Sequence, residues 1–112
     1  MAVVLDGLAA EGLLSDARFT AEYIHSRAGK GFGPERIRQE LKQRGVEAEV
    51  AAARMRDAGT DWTELGREVC RRRFGRLQAI DDGERAKQAR FLLYRGFTGE
   101  QIHAILDVET EA

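Results

Sequence analysis

Leu41-Lys42-Gln43-Arg44-Gly45-Val46 is followed, after two further residues, by Glu49. Fifty-one positions on, the chain repeats itself as Leu92-Leu93-Tyr94-Arg95-Gly96-Phe97, with Glu100 in the matching place. In both copies a leucine stands three residues before an Arg-Gly pair, and an apolar residue follows the glycine. Glycine enters the left-handed region without a Cβ penalty, so a helix stops there. The apolar residue after the stop is placed to staple the next helix, as Val46 is with Val50. Upstream, Pro34 suits the first position of a helix because its missing N–H would have no partner there. The helix it opens carries Ile37 and Leu41 inward at helical spacing.

The same punctuation extends both ways. A first helix is expected over Val3–Ala10, with Val4, Leu5 and Leu8 on one face, ending near Gly12. Ser15 then reads as an N-cap with Asp16 in the first turn, opening a helix to about Ala28 that carries Phe19, Tyr23 and Ile24. Gly29-Lys30-Gly31-Phe32-Gly33 breaks it. After Gly45, a helix reaches Ala58 and stops at Gly59. Asp61 with Glu64 reads as a capping box, and the helix it opens carries Trp62, Leu65 and Val69 to about Arg73. Residues 76–83 read as a loop, Glu84–Arg95 as a helix, and Phe97, Thr98 and Gln101 as the staple and cap of a last helix with Ile102, Ile105 and Leu106. The expected fold is all-α: tandem three-helix repeats in an elongated stack. Residues 1–14 would hold the last helix of an incomplete first unit. Residues 15–59 and 60–107 would be the second and third units, and 108–112 an acidic tail.

Composition narrows the function. All 18 basic residues lie between Arg18 and Arg95, where they meet 12 acids, while both ends are acidic. A basic middle suits a polyanionic partner, although the net charge of −1 argues against binding by bulk electrostatics alone. No run approaches the length of a membrane span. The one cysteine, Cys70, cannot form an internal disulfide, which points to a reducing compartment, the cytoplasm. His25 and His103 are far apart and have no cysteine neighbours, so no metal or other cofactor is expected.

The glycine-rich turn fails as a nucleotide loop. No Ser or Thr follows Lys30, a glycine is missing where Ile24 stands, and a helix rather than a strand precedes it. A flexible helix–helix turn is the simpler reading. Arg44 and Arg95, at helix ends, are placed to satisfy the last carbonyls. Cys70 reads as a small core residue rather than a nucleophile. No acid–base pair, triad or metal cluster assembles, so no enzymatic activity is expected. The basic faces are more informative. At about 100° per residue, with Leu92 inward, Lys87, Arg90 and Tyr94 gather on the opposite face. Arg36, Gln39 and Gln43 take that face of the matching helix, with Arg38 and Lys42 beside it. Arg67 and Arg71 lie away from Trp62, and Arg72, Arg73 and Arg76 extend their cluster. Any one of these residues is simply read as solvated surface. Together, an arginine-rich face with a tyrosine suits a nucleic-acid backbone or an acidic protein groove.

Three strings point to a family: Gly12 to Phe19 (GLLSDARF), Arg27 to Gly45 (RAGKGFGPERIRQELKQRG) and Arg85 to Phe97 (RAKQARFLLYRGF). They resemble the RecX family of bacterial recombination regulators, from about Val4 to Leu106. The Gly-Lys-Gly-aromatic-Gly-Pro element, with the Glu-Leu-x-x-Arg-Gly helix after it, is the specific part. The resemblance implies tandem three-helix repeats and a protein that modulates RecA, usually by inhibition. Such proteins sit in the groove of the RecA filament on single-stranded DNA and lower strand exchange, ATP hydrolysis and co-protease activity. Members usually begin with a complete first repeat, whose first two helices this chain lacks. The expected contacts to filament or DNA phosphate are Arg36, Arg38, Lys42, Arg67, Arg71, Arg72, Lys87, Arg90 and Tyr94. The expected partners are the RecA filament and its single-stranded DNA, with no membrane and a monomeric state. The alternative is a helix-turn-helix-like module that binds duplex DNA directly.

Overall fold

A computed structural model describes residues 18–75, 79 and 81–106. The expected helix over Val3–Ala10, the Ser15 cap, Arg76 and the acidic tail lie outside these residues. The described chain is helical throughout, in two three-helix units arranged as an elongated stack. The first unit holds α1 (described over 18–29), α2 (Pro34–Gln43) and α3 (Ala48–Ala58). The second holds α4 (Trp62–Phe74), α5 (Asp82–Arg95) and α6 (Gly99–Leu106).

The repeated Leu-x-x-Arg-Gly-apolar string is a helix stop made twice. Val46 N–H donates to the Leu41 carbonyl and Gly45 N–H to that of Lys42; Phe97 N–H donates to Leu92 and Gly96 N–H to Leu93. Both are Schellman closures, which need a left-handed residue at the glycine and reward apolar contact between the leucine and the residue after it. Gly45 and Gly96 stand at φ 85° and 102°, and Leu41, Val46, Leu92 and Phe97 are all buried. The motif therefore encodes the sharp turn and two core residues at once.

Helix starts follow the side chains. Asp61 accepts from Glu64 N–H at 3.1 Å. Thr98 and Gln101 cap each other reciprocally, at 3.0 and 3.1 Å. The expected loop over 76–83 is corrected at its end: Asp81 accepts from Glu84 N–H at 2.8 Å, so the helix begins at Asp82. That is the Asp61–Glu64 arrangement again, with Asp82 and Gly83 inside the first turn.

Ile24, Ile37, Leu41, Val46 and Ala51 form the first core. Cys70, Leu92, Phe97, Ile102, Ile105 and Leu106 form the second. Trp62 and Leu65, at the start of α4, pack against both cores and tie the units together. Burial pushes the Cys70 thiol up to about 11, which keeps it protonated and fits the core role read from its position.

Candidate functional site

The turn at 29–33 is a dock rather than a loose connector. Gly33 N–H donates to the Arg95 carbonyl and Glu35 N–H to that of Gly96, both at 2.8 Å. The positive end of α2 thus meets the negative end of α5, and free amide groups of one helix satisfy free carbonyls of the other. Contact is close because both sides are glycine. A Cβ on Gly33 would fall 2.6 Å from the Gly96 oxygen, and one on Gly96 would fall 2.6 Å from the Arg36 nitrogen.

Arginines fasten this junction. The Phe32 ring lies under three guanidinium groups, those of Arg27 at 3.9 Å, Arg36 at 4.6 Å and Arg95 at 4.9 Å. Arg95 Nη1 donates to the Lys30 carbonyl at 3.1 Å. This corrects its expected role. Backbone N–H groups already take the last carbonyls of α5, so its guanidinium reaches across to the neighbouring unit. Arg44 likewise turns to the Tyr23 ring, at 4.8 Å. Glu40 anchors the first-unit side, accepting from Tyr23, Arg27 and Arg36. Burial raises its pKa, but hydrogen bonds from Arg27, Tyr23 and Arg36 outweigh burial and hold the carboxyl below its usual range.

The nine expected contact residues fall into distinct settings. Arg36 and Tyr94 are brought together across the units: Arg36 Nη1 donates to the Tyr94 carbonyl at 3.3 Å and its guanidinium lies 5.3 Å from the Tyr94 ring. They line one groove of about 420 Å3 with Gln39, Gln43 and Leu93, which merges the two faces inferred separately from the sequence. Tyr94 and Leu93 are 75% and 63% exposed there. Arg38 and Lys42 lie on the α3 side of α2, over a shallower groove with Val46 and Ala51.

Charge pairing sorts them further. Arg38 pairs with Glu35, Arg67 and Arg71 with Glu64, and Arg72 with Glu68. Exposed pairs of this kind contribute only about 0–1 kcal/mol, so they mute the field without holding the arginines back from a partner. Lys42, Lys87 and Arg90 have no ion-pair partner among the described residues. Lys87 shares a cleft with Arg73, Asp81 and Glu84. Sequence reasoning left Lys30, Arg73 and Arg95 off the contact surface. The fold places them with Arg72 around one small cleft, a placement with no signal in the local periodicity.

Among the described residues, no group of three or more His, Cys, Asp or Glu side chains is placed to hold a metal ion. No described helix is long and apolar enough to cross a membrane.

Comparison with known proteins agrees with this architecture. Residues 15–55 match the second three-helix domain of RecX, and residues 60–106 match the third. Over 102 residues, 91% of this chain, it is 43% identical to the Regulatory protein RecX of Yersinia pseudotuberculosis, 56% of whose length is covered. The identity to that of Pseudomonas fluorescens is 44%, covering 66% of it, and to that of Ectopseudomonas mendocina 45%, covering 68%. The chain thus spans between about half and two thirds of the length of these relatives. With both units matched in order, the chain belongs to the RecX family of regulatory proteins.

Proposed function

We propose that this chain binds the RecA filament on single-stranded DNA and inhibits it, acting as a regulator rather than a catalyst. Membership of a family of regulatory proteins supports the regulatory role. The observation that carries the binding mode is the outward face of α5, where Lys87 and Arg90 stand exposed and without ion-pair partners. Tyr94 continues that face toward the groove with Arg36. Cations left unpaired in the free protein lose little on meeting an acidic groove or a phosphate. On this reading Arg36, Arg38, Lys42, Arg67, Arg71 and Arg72 belong to the same binding surface, the protein acts as a monomer, and it works in the cytoplasm with RecA.

The direct test is RecA ATPase on single-stranded DNA with this protein titrated in. The expected outcome is a saturable fall in hydrolysis. Unchanged hydrolysis at a large excess over RecA would overturn the proposal.

A further inference from the structure

We infer that the cleft at the junction of the two units is a seat for a nucleic-acid phosphate, formed by Lys30, Arg72, Arg73 and Arg95. The inference rests on the proposed function only in taking nucleic acid as part of the partner.

Three separate elements build the cleft. Lys30 comes from the docked glycine turn, Arg72 and Arg73 from the last turn of α4, and Arg95 from the end of α5; Val69 and Phe91 line it as well. Four of its lining residues are cationic and none is acidic. Arg72 has a carboxylate partner, Glu68 at 2.6 Å. Lys30, Arg73 and Arg95 have none among the described residues. The Arg95 guanidinium is held in place by the Lys30 carbonyl and by the Phe32 and Phe91 rings. A fixed guanidinium loses little freedom when it binds an oxyanion, and phosphate is the oxyanion that its fork fits.

Size selects the ligand. The cleft holds about 170 Å3, well under the roughly 300 Å3 at which small-molecule pockets begin. It does not enclose a nucleotide. It has room for one phosphate and its water, which suits a single phosphodiester of a longer strand lying across the opening. Arg73 also borders the next cleft, where Lys87 stands beside Asp81 and Glu84. Those acids limit the positive tract on that side and centre it on the junction.

Because the seat exists only when the units are docked, a phosphate bound there also clamps them. Nucleic acid should therefore raise the melting temperature of the protein as well as bind it.

The test is fluorescence anisotropy of a labelled single-stranded oligothymidylate, titrated with the protein over a range of salt, with a duplex of equal length in parallel. Lys30→Gln/Arg73→Gln removes two cations, and neither side chain has an ion-pair partner. The expected result is about tenfold weaker binding at low salt, and a slope of log K against log salt shallower by about 1.4, roughly 0.7 per lost phosphate contact. Should the double variant melt early, Lys30→Gln alone should lower the slope by about 0.7. Binding of the single strand or the duplex that the variants weaken supports a phosphodiester seat, and the stronger of the two identifies its source. The inference is overturned if the parent binds neither, or if the folded variants keep the parent's affinity and slope. A parent that inhibits RecA but fails these assays refutes the seat and leaves the proposed function standing. One that binds through the cleft without affecting RecA does the reverse.

Discussion

Leu41 and Leu92 have no exposed surface, and each accepts through its carbonyl the hydrogen bond that closes its helix. Truncating either to Ala leaves the backbone closure in place and opens a cavity. Each is expected to cost about 2–5 kcal/mol in chemical denaturation, and a cost under about 0.5 kcal/mol would contradict its place in the core. The two glycines after them separate turn from dock. Gly45→Ala meets open space at a left-handed φ, so its cost is the conformational one, about 1–2 kcal/mol. Gly96→Ala meets the same strain and also the Arg36 backbone. It should destabilise distinctly more, and a cost equal to that of Gly45→Ala would mean that the junction is looser than described.

At the scale of the element, α2 carries the charge network that holds its unit to α1 and faces the junction. Glu40 is held below its ordinary 4.5 in the folded protein. A carboxylate with a depressed folded pKa stabilises the fold above its unfolded pKa, and that contribution is lost as pH falls through the folded value. Stability should therefore decline below about pH 4.5. The Glu40→Gln variant should be less stable near neutrality and flatter over the same acid range. Equal acid slopes in parent and variant, followed by urea melts, would remove Glu40 from this role. The α5 face makes a different prediction. Lys87→Glu/Arg90→Glu changes only exposed positions outside caps, so stability should move by under about 0.5 kcal/mol per site. Filament binding and RecA inhibition should weaken, while Glu47→Gln/Glu49→Gln, on the exposed start of α3, should leave both unchanged. A folded Lys87/Arg90 reversal that inhibits RecA as well as the parent would exclude this face.

For the molecule as a whole, the decisive feature is that the units meet through backbone. Two hydrogen bonds join the start of α2 to the end of α5, and Trp62 and Leu65 lie between the cores. Groove and cleft then open at this junction and bring α2, α4, α5 and the glycine turn to one region. A variant that undocks the units, such as Gly96→Ala, should lose filament binding even though it alters no basic residue. Retained binding by such a variant would show that each unit acts alone.

The helices, their stops and their buried faces were legible in the sequence because they depend on local rules. A Leu-x-x-Arg-Gly-apolar string closes a helix by contacts within six residues, Asp61 and Thr98 cap within three, and apolar spacing marks which side is buried. The outward faces of α2 and α5 were legible for the same reason. The cap at Asp81 was obscured because Asp81-Asp82-Gly83 reads equally well as a turn. What tertiary structure decided is what the glycine turn and the terminal arginines do. Gly33 and Gly96 are 63 positions apart in the chain, and no periodicity links them. Only when the two cores pack do the free ends of α2 and α5 face each other, drawing Arg95 across to Lys30 and gathering four cations that sequence alone scatters over three elements.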